Sequence, residues 1–226
     1  MLPRAVCLQM LHPSIAAGIE QHSLYRERIW QHEHRTIPAM IEIACSQRDL
    51  RPVIRFGHEH VKGRDSSGQA YHSLNPELFH FHHATLVETL FAMVNTIRPM
   101  EPDQYEPLYQ QCCDWYRRYG ISTRPMPANW AAFVDYFAEC CRTQLSSGSH
   151  FEPFRPEIFT PSYWWPRLMP LRAIRAMQHP RAQELTGVTA TGTDHRVLQL
   201  ILKAGAALPR GRDRWNRSPD PAKTTH

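Results

Sequence analysis

Asn75, Pro76 and Glu77 constrain this chain more tightly than any other three residues in it. An asparagine ahead of a helix can accept hydrogen bonds from the free N–H groups of the first turn. A proline has its φ preset for the first helical position, and a glutamate there meets the positive end of the helix dipole. The spacing therefore predicts a helix from Pro76 to about Ile97 and fixes the phase of the side chains along it. At about 100° of turn per residue, Phe79, His83, Leu86 and Leu90 share one face. His80 and Val87 lie beside that face, and His82 points well away from it.

The rest of the chain reads as helical too. Apolar residues recur at helical spacing over Leu2–Ile19, with a break at His12-Pro13, and again over Arg26–Ala44 and Leu50–His60. Later helices are predicted at Pro102–Tyr119, Ala128–Leu145, Pro166–Met177 and Asp194–Leu208, with the proline-punctuated stretch Phe151–Trp165 irregular. Lys62–Tyr71 is polar, carries two glycines and reads as a loop, and no strand pattern of useful length is seen. With only 10 glycines, and 19 prolines placed between the segments and in the tail, the expectation is all-α. One helical domain is expected over residues 1–208, followed by a basic, disordered tail over 209–226.

Charge and composition narrow the function classes. The formal net charge is +5, but five cations and two acids lie beyond Leu208, so the body carries only about +2. Nucleic-acid binding is therefore not expected. No stretch reaches the roughly 18–20 apolar residues of a membrane span, and no secretory leader is recognisable. The six cysteines fall as Cys7, Cys45 and the adjacent pairs Cys112–Cys113 and Cys140–Cys141. This is neither finger spacing nor a disulfide framework, and reduced, buried thiols in a cytoplasmic protein are expected.

The 14 histidines are the chemical signal. His83 sits on an apolar helix face, and one imidazole projecting from such a face is what a haem b needs, with a single axial bond and an apolar cleft for the porphyrin. The competing reading is a core histidine satisfied by a backbone carbonyl. His80 and His83, three apart, can also share a non-haem metal. His58 and His60 lack the four-residue spacing of a helical two-histidine motif, and no phosphate loop, dinucleotide fingerprint or serine elbow is present. Trp115, Tyr116 and Tyr119 read as packing rather than as a stacking platform.

Three stretches, in order, resemble a known family. They are Arg4–Pro13 with Ser14–Gly18, His58–Gly63 with Gly68–Tyr71, and Asn75-Pro-Glu-Leu-Phe-His-Phe-His-His-Ala-Thr-Leu-Val87. Together they are similar to the catalytic domain of the MpaB and latex-clearing-protein (rubber oxygenase) family, densely up to about Ile97 and thinly beyond. The resemblance implies an all-α fold enclosing a b-type haem, with His83 on the iron-binding histidine. Phe81 stands where tryptophan is common, and His80 and His82 replace residues that are usually apolar or, in part, arginine. Arg35 and Thr36 match the distal side of the iron, where a guanidinium can hold oxygen or a propionate and a hydroxyl can steady a water. His58 matches a family histidine with a propionate or loop-anchoring role. Family members normally carry a further helical segment before the Arg4 stretch, so either a truncated N-terminus or a late-assigned start is expected.

The expectation is thus a haem b-dependent oxygenase that uses O2 on an apolar, isoprenoid-like substrate, with oxidative cleavage of a carbon–carbon double bond as one outcome. Arg35 and Thr36 would be catalytic. His83 would bind the iron, and His58, His80, Phe79, Leu86 and Val87 would line the cofactor. A degenerate haem- or ligand-binding protein without turnover, and a non-haem metal enzyme built on His80 and His83, are the alternatives.

Overall fold

The computed structural model describes residues 2–23, 28–46 and 48–207. Among them run α1 (Leu2–Met10), α2 (Pro13–His22), α3 (Ile29–Cys45) and α4 (Arg51–His58), then a hairpin of β1 (Lys62–Arg64) and β2 (Ala70–His72). Next come α5 (Pro76–Ile97), α6 (Pro102–Arg118), α7 (Trp130–Thr143) and the short α8 (Arg155–Phe159). A single 3-10 turn (Pro166–Leu168) leads to α9 (Leu171–Ala176), α10 (Pro180–Thr186) and α11 (Gly192–Ala207). The all-α expectation holds.

Helix α5 is the axis of the fold. Its first turn forms as the sequence dictates, with the Asn75 side chain accepting from the Glu77 N–H at 2.9 Å and Pro76 at the first helical position. It packs against α1, α2, α6, α7 and α11. One face, through Phe81, Ala84, Val87 and Phe91, enters the main core with α1 and α7, where Phe81 stacks on Phe137 at 6.1 Å between ring centres. The α1–α5 contact is also polar. Gln9 Nε2 donates to Thr85 Oγ1 at 2.9 Å, while Arg4 pairs with Glu88 and donates to the Met177 carbonyl at 2.9 Å. The break at His12-Pro13 falls where expected, with the His12 ring accepting from the Ser14 N–H at 3.2 Å to cap α2.

Two expectations are corrected. The loop at Lys62–Tyr71 contains a short antiparallel ladder, with Gly63 opposite Tyr71. Each strand is three residues long, too short to show alternation, and the hairpin is held from outside. Tyr71 Oη donates to Gln21 Oε1 at 2.8 Å, and Asp65 accepts from Ser14 Oγ at 2.7 Å and from the Ser67 and Gln69 N–H groups. A Cβ on Gly63 would meet Gln21 Oε1 at 2.5 Å, so a larger residue there would displace the Gln21 side chain that accepts from Tyr71. Likewise Pro166–Met177 is not one helix. Pro170 drives Met169 into extended backbone (φ −84°, ψ 127°), which splits the segment into the 3-10 turn and α9.

Five of the six free cysteines are buried, but Cys45 is exposed. Among the described residues no helix is long and apolar enough to cross a membrane. The tail expected over 209–226 lies outside the described residues.

The two ends of the α5 argument separate by magnitude. Phe81→Ala, at a site with no solvent exposure, is expected to cost about 3–5 kcal/mol in urea unfolding. Asn75→Ala, which removes only the cap, is expected to cost about 1 kcal/mol.

Candidate active site

The faces of α5 that do not enter the main core carry the histidines. His80 and His83 face α6 and α7, and His82 faces α3 and α4. This is the separation that the helical phase predicts.

His83 is 3% exposed. Its ring lies edge-on to Trp115 at 4.7 Å between ring centres, with Tyr116 at 5.2 Å and Tyr119 at 5.6 Å. Its Nε2 is 3.2 Å from the Cys112 carbonyl of α6. A carbonyl can only accept, so Nε2 carries the hydrogen, and Nδ1 is left with its lone pair. That Nδ1 is buried and has no hydrogen-bond partner. Burial, above all, pushes the ring's pKa down from 6.5 to about 3, with His80 adding repulsion and the Cys112 carbonyl working weakly against both. His83 is therefore a neutral imidazole with one nitrogen anchored and the other bare. The core-histidine reading and the ligand reading each describe one half of the ring.

His80 is in a similar state, 2% exposed, with its Nδ1 unpartnered and its pKa lowered to about 4 by burial. It sits between Tyr116 and Tyr136, each 5.0 Å away, and 6.4 Å from His83. Phe79 closes the same wall through Tyr119 at 5.2 Å and carries His58 on its far side at 5.6 Å. His58 Nδ1 is 2.9 Å from the Ile54 carbonyl, a bond within its own helix. Val87 belongs to the main core, and Leu86 is half-buried.

The two α3 residues stand apart from this wall. Arg35 is exposed, and the Thr36 hydroxyl is engaged with its own helix, donating to the His32 and Glu33 carbonyls at 3.2 and 3.3 Å. His32 of the same helix instead faces His82 together with His58; burial depresses all three rings, with repulsion from His58 and His32 adding to it at His82, from His58 at His32 and from His60 at His58. The structure thus brings His83, His80 and Phe79 together. It does not bring Arg35 or Thr36 into contact with them.

The aromatic stripe Trp115, Tyr116 and Tyr119 packs, as the sequence reading expects, but what it packs is His83. Its spacing on α6 was the available signal, and nothing in the sequence tied it to α5. Among the described residues no three histidine, cysteine or carboxylate groups converge as a metal cluster. The concavities of about 820 and 440 Å³ are lined by residues other than His83.

A helical domain with a buried, neutral, half-satisfied imidazole on its central helix defines a class, and comparison with known proteins names it. The family model described as the catalytic domain of "ER-bound oxygenase mpaB/B'/Rubber oxygenase" matches residues 1–207. The chain belongs to this family of oxygenases and is an oxidoreductase. Comparison with curated proteins and with solved structures finds no match.

Neutral burial of these rings has a pH signature. His12, His80, His82 and His179 fall from 6.5 to about 4, and His83 to about 3, chiefly through burial. As pH falls the unfolded chain takes up protons before the folded one, so stability present above pH 6.5 is lost between 6.5 and 4. Buried Glu33, raised to about 7, works in the opposite sense. Each imidazole contributes a slope of about 1.4 kcal/mol per pH unit in that window. Urea unfolding from pH 7 to 4 is expected to show steep acid destabilisation, shallower in His83→Phe. A stability independent of pH over that range would contradict the assignment.

Proposed function

We propose that this oxygenase depends on haem b, that His83 would hold its iron, and that it acts with dioxygen on an apolar, isoprenoid-like substrate at a carbon–carbon double bond. The observation that supports the reading most directly is the bare, buried Nδ1 of His83. An imidazole ligand must be neutral, must offer one lone pair, and is oriented by a hydrogen bond from its other nitrogen to a carbonyl or carboxylate. His83 meets each condition, with the Cys112 carbonyl as the orienting group. The donor chemistry therefore fits.

When bound, the haem supplies the iron at which dioxygen is made reactive towards an alkene. The rest falls to the chain. His83 holds the iron, and the Cys112 carbonyl keeps the proton on Nε2. Trp115, Tyr119 and Phe79 offer apolar faces to a planar macrocycle and exclude water. Their rings now pack directly on one another and on His83, so loading requires the α5–α6 contact to part. His80, unpartnered in the same wall, is the polar group best placed to meet the cofactor, with His58 behind Phe79 and Leu86 and Val87 further along the helix. The same reading gives Arg35 and Thr36 the oxygen side. An alkene without polar groups offers only hydrophobic burial as a handle. The exclusively free thiols accord with action in the cytoplasm.

The test is an absorption spectrum of the chain expressed with a haem precursor. A Soret band is expected in the wild type and in His82→Ala, and is expected to be lost in His83→Ala. Added imidazole is expected to restore it in His83→Gly. Stoichiometric metal without a Soret band would move the reading to a non-haem centre on His80 and His83. A chain with neither would overturn it.

A further inference from the structure

Between Glu157 and Glu184 the chain holds no acidic residue, while Arg167, Arg172, Arg175 and Arg181 all fall in that interval. Its middle is punctuated by Pro161, Pro166 and Pro170, which fix a 3-10 turn and the start of α9 rather than one longer helix. The segment is anchored from within. The Trp165 ring meets Trp30 edge-on at 5.3 Å, Pro166 is buried, and Ala173 and Ile174 have no solvent exposure. The side chains between these anchors point outward, with Trp164 59%, Leu168 74% and Leu171 47% exposed. Large apolar groups are thus held in solvent between buried anchors at Pro166, Ala173 and Ile174.

The charges beside them are incompletely answered. Arg175 pairs with Asp194 at 3.0 Å, and Arg172 reaches the same carboxylate only at 4.0 Å. Among the described residues Arg167 has no carboxylate within ion-pair distance. None of the residues from 164 to 172 lines either of the two concavities, so this surface suits another surface rather than an enclosed small molecule.

We propose that the segment Trp164–Arg172 is a membrane-surface contact that seats on a bilayer carrying anionic headgroups. A tryptophan lies at headgroup depth, leucines enter the acyl boundary, and arginines run their stems along the apolar region while their heads meet phosphate. The charge favours this occupant over a second copy of the chain. A two-fold self-contact would press one acid-free, arginine-bearing face against another. The inference stands independently of the oxygen chemistry, and it would place the enzyme where apolar substrates dissolve.

The experiment is co-sedimentation of the whole chain with vesicles of equal parts phosphatidylglycerol and phosphatidylcholine, beside vesicles of phosphatidylcholine alone. Binding to the anionic vesicles is expected, weakening with salt. The double variant Arg167→Gln, Arg172→Gln is expected to lower the partition coefficient on the order of 25-fold, and Leu168→Asp at least about tenfold. Both sites are solvent-facing, so circular dichroism is expected to be unchanged. Phe56→Ser, 86% exposed on α4, is expected to bind like the wild type. Three results would overturn the proposal. One is no binding to anionic vesicles. Another is binding that survives both Leu168→Asp and Trp164→Ser, which would assign it to other residues, such as the arginines beyond Leu208. The third is light scattering that shows a dimer which Leu168→Asp converts to monomer.

Discussion

A helix packed on several sides leaves little water around the side chains along its middle, and α5 is such a helix. Enclosure by α1, α2, α6, α7 and α11 sets the protonation of what it carries. His80, His82 and His83 are neutral because each would otherwise be an imidazolium with little water around it. A neutral imidazole has one hydrogen to give and one lone pair to offer. Once the Cys112 carbonyl claims the hydrogen of His83, the lone pair is directed into an aromatic wall. Polarity is admitted on α5 where it can be answered, at Thr85 by Gln9 and at Glu88 by Arg4.

The unanswered polarity is the informative part. A buried polar atom without a partner costs about 1–3 kcal/mol, and the wall around His83 contains three, the Nδ1 atoms of His80 and His83 and the indole Nε1 of Trp115. Phenylalanine at either histidine position would remove its share of that cost and pack against the same rings. A sequence that keeps imidazoles there forgoes stability at one place, which is where functional sites characteristically depart from the rules that govern the rest of a fold. Membership of an oxygenase family supplies the chemical reason for the departure, and the tautomer supplies the direction from which a ligand would come.

How much of this was legible in the sequence depends on the range of the interaction responsible. Capping and periodicity act within a turn or two, so α5, its phase, the opposite facing of His82 and His83 and the break at His12-Pro13 could all be read directly. The hairpin could not, because its three-residue strands are specified by Gln21, Ser14 and Asp65 reaching across the chain rather than by alternation within it. The split at Pro170 was locally encoded, yet an apolar helical pattern running through the proline outweighed it. The wall of the candidate site was half legible. Trp115, Tyr116 and Tyr119 announce an aromatic face on α6, but pairing that face with His83 requires the α5–α6 crossing, which no local pattern contains. Arg35 and Thr36 show the converse. A short motif suggested their role, while the side-chain positions that would express it belong to α3, a helix whose outer face is open to solvent over Arg35, Pro38, Ala39 and Ile41.

That open face and the outward residues of Trp164–Arg172 adjoin. Trp164 lies 6.1 Å from the His34 ring of α3, and Tyr163 Oη is 3.0 Å from His34 Nδ1. The inner side of α3 reaches the histidines of α5 through His32, and the aromatic residues of α6 meet α3 around Ile43. A single helix therefore separates the imidazole-bearing core from the apolar surface beside Trp164. Displacing it would open the core towards that surface, whereas α1 and α11 are tied across α5 by the Arg4–Glu88 pair, the Met177 carbonyl and the α9–α11 packing. The physical asymmetry of the fold is thus a side tied across α5 by part-buried ion-pair and carbonyl contacts and a side closed by α3, whose outer face is open to solvent.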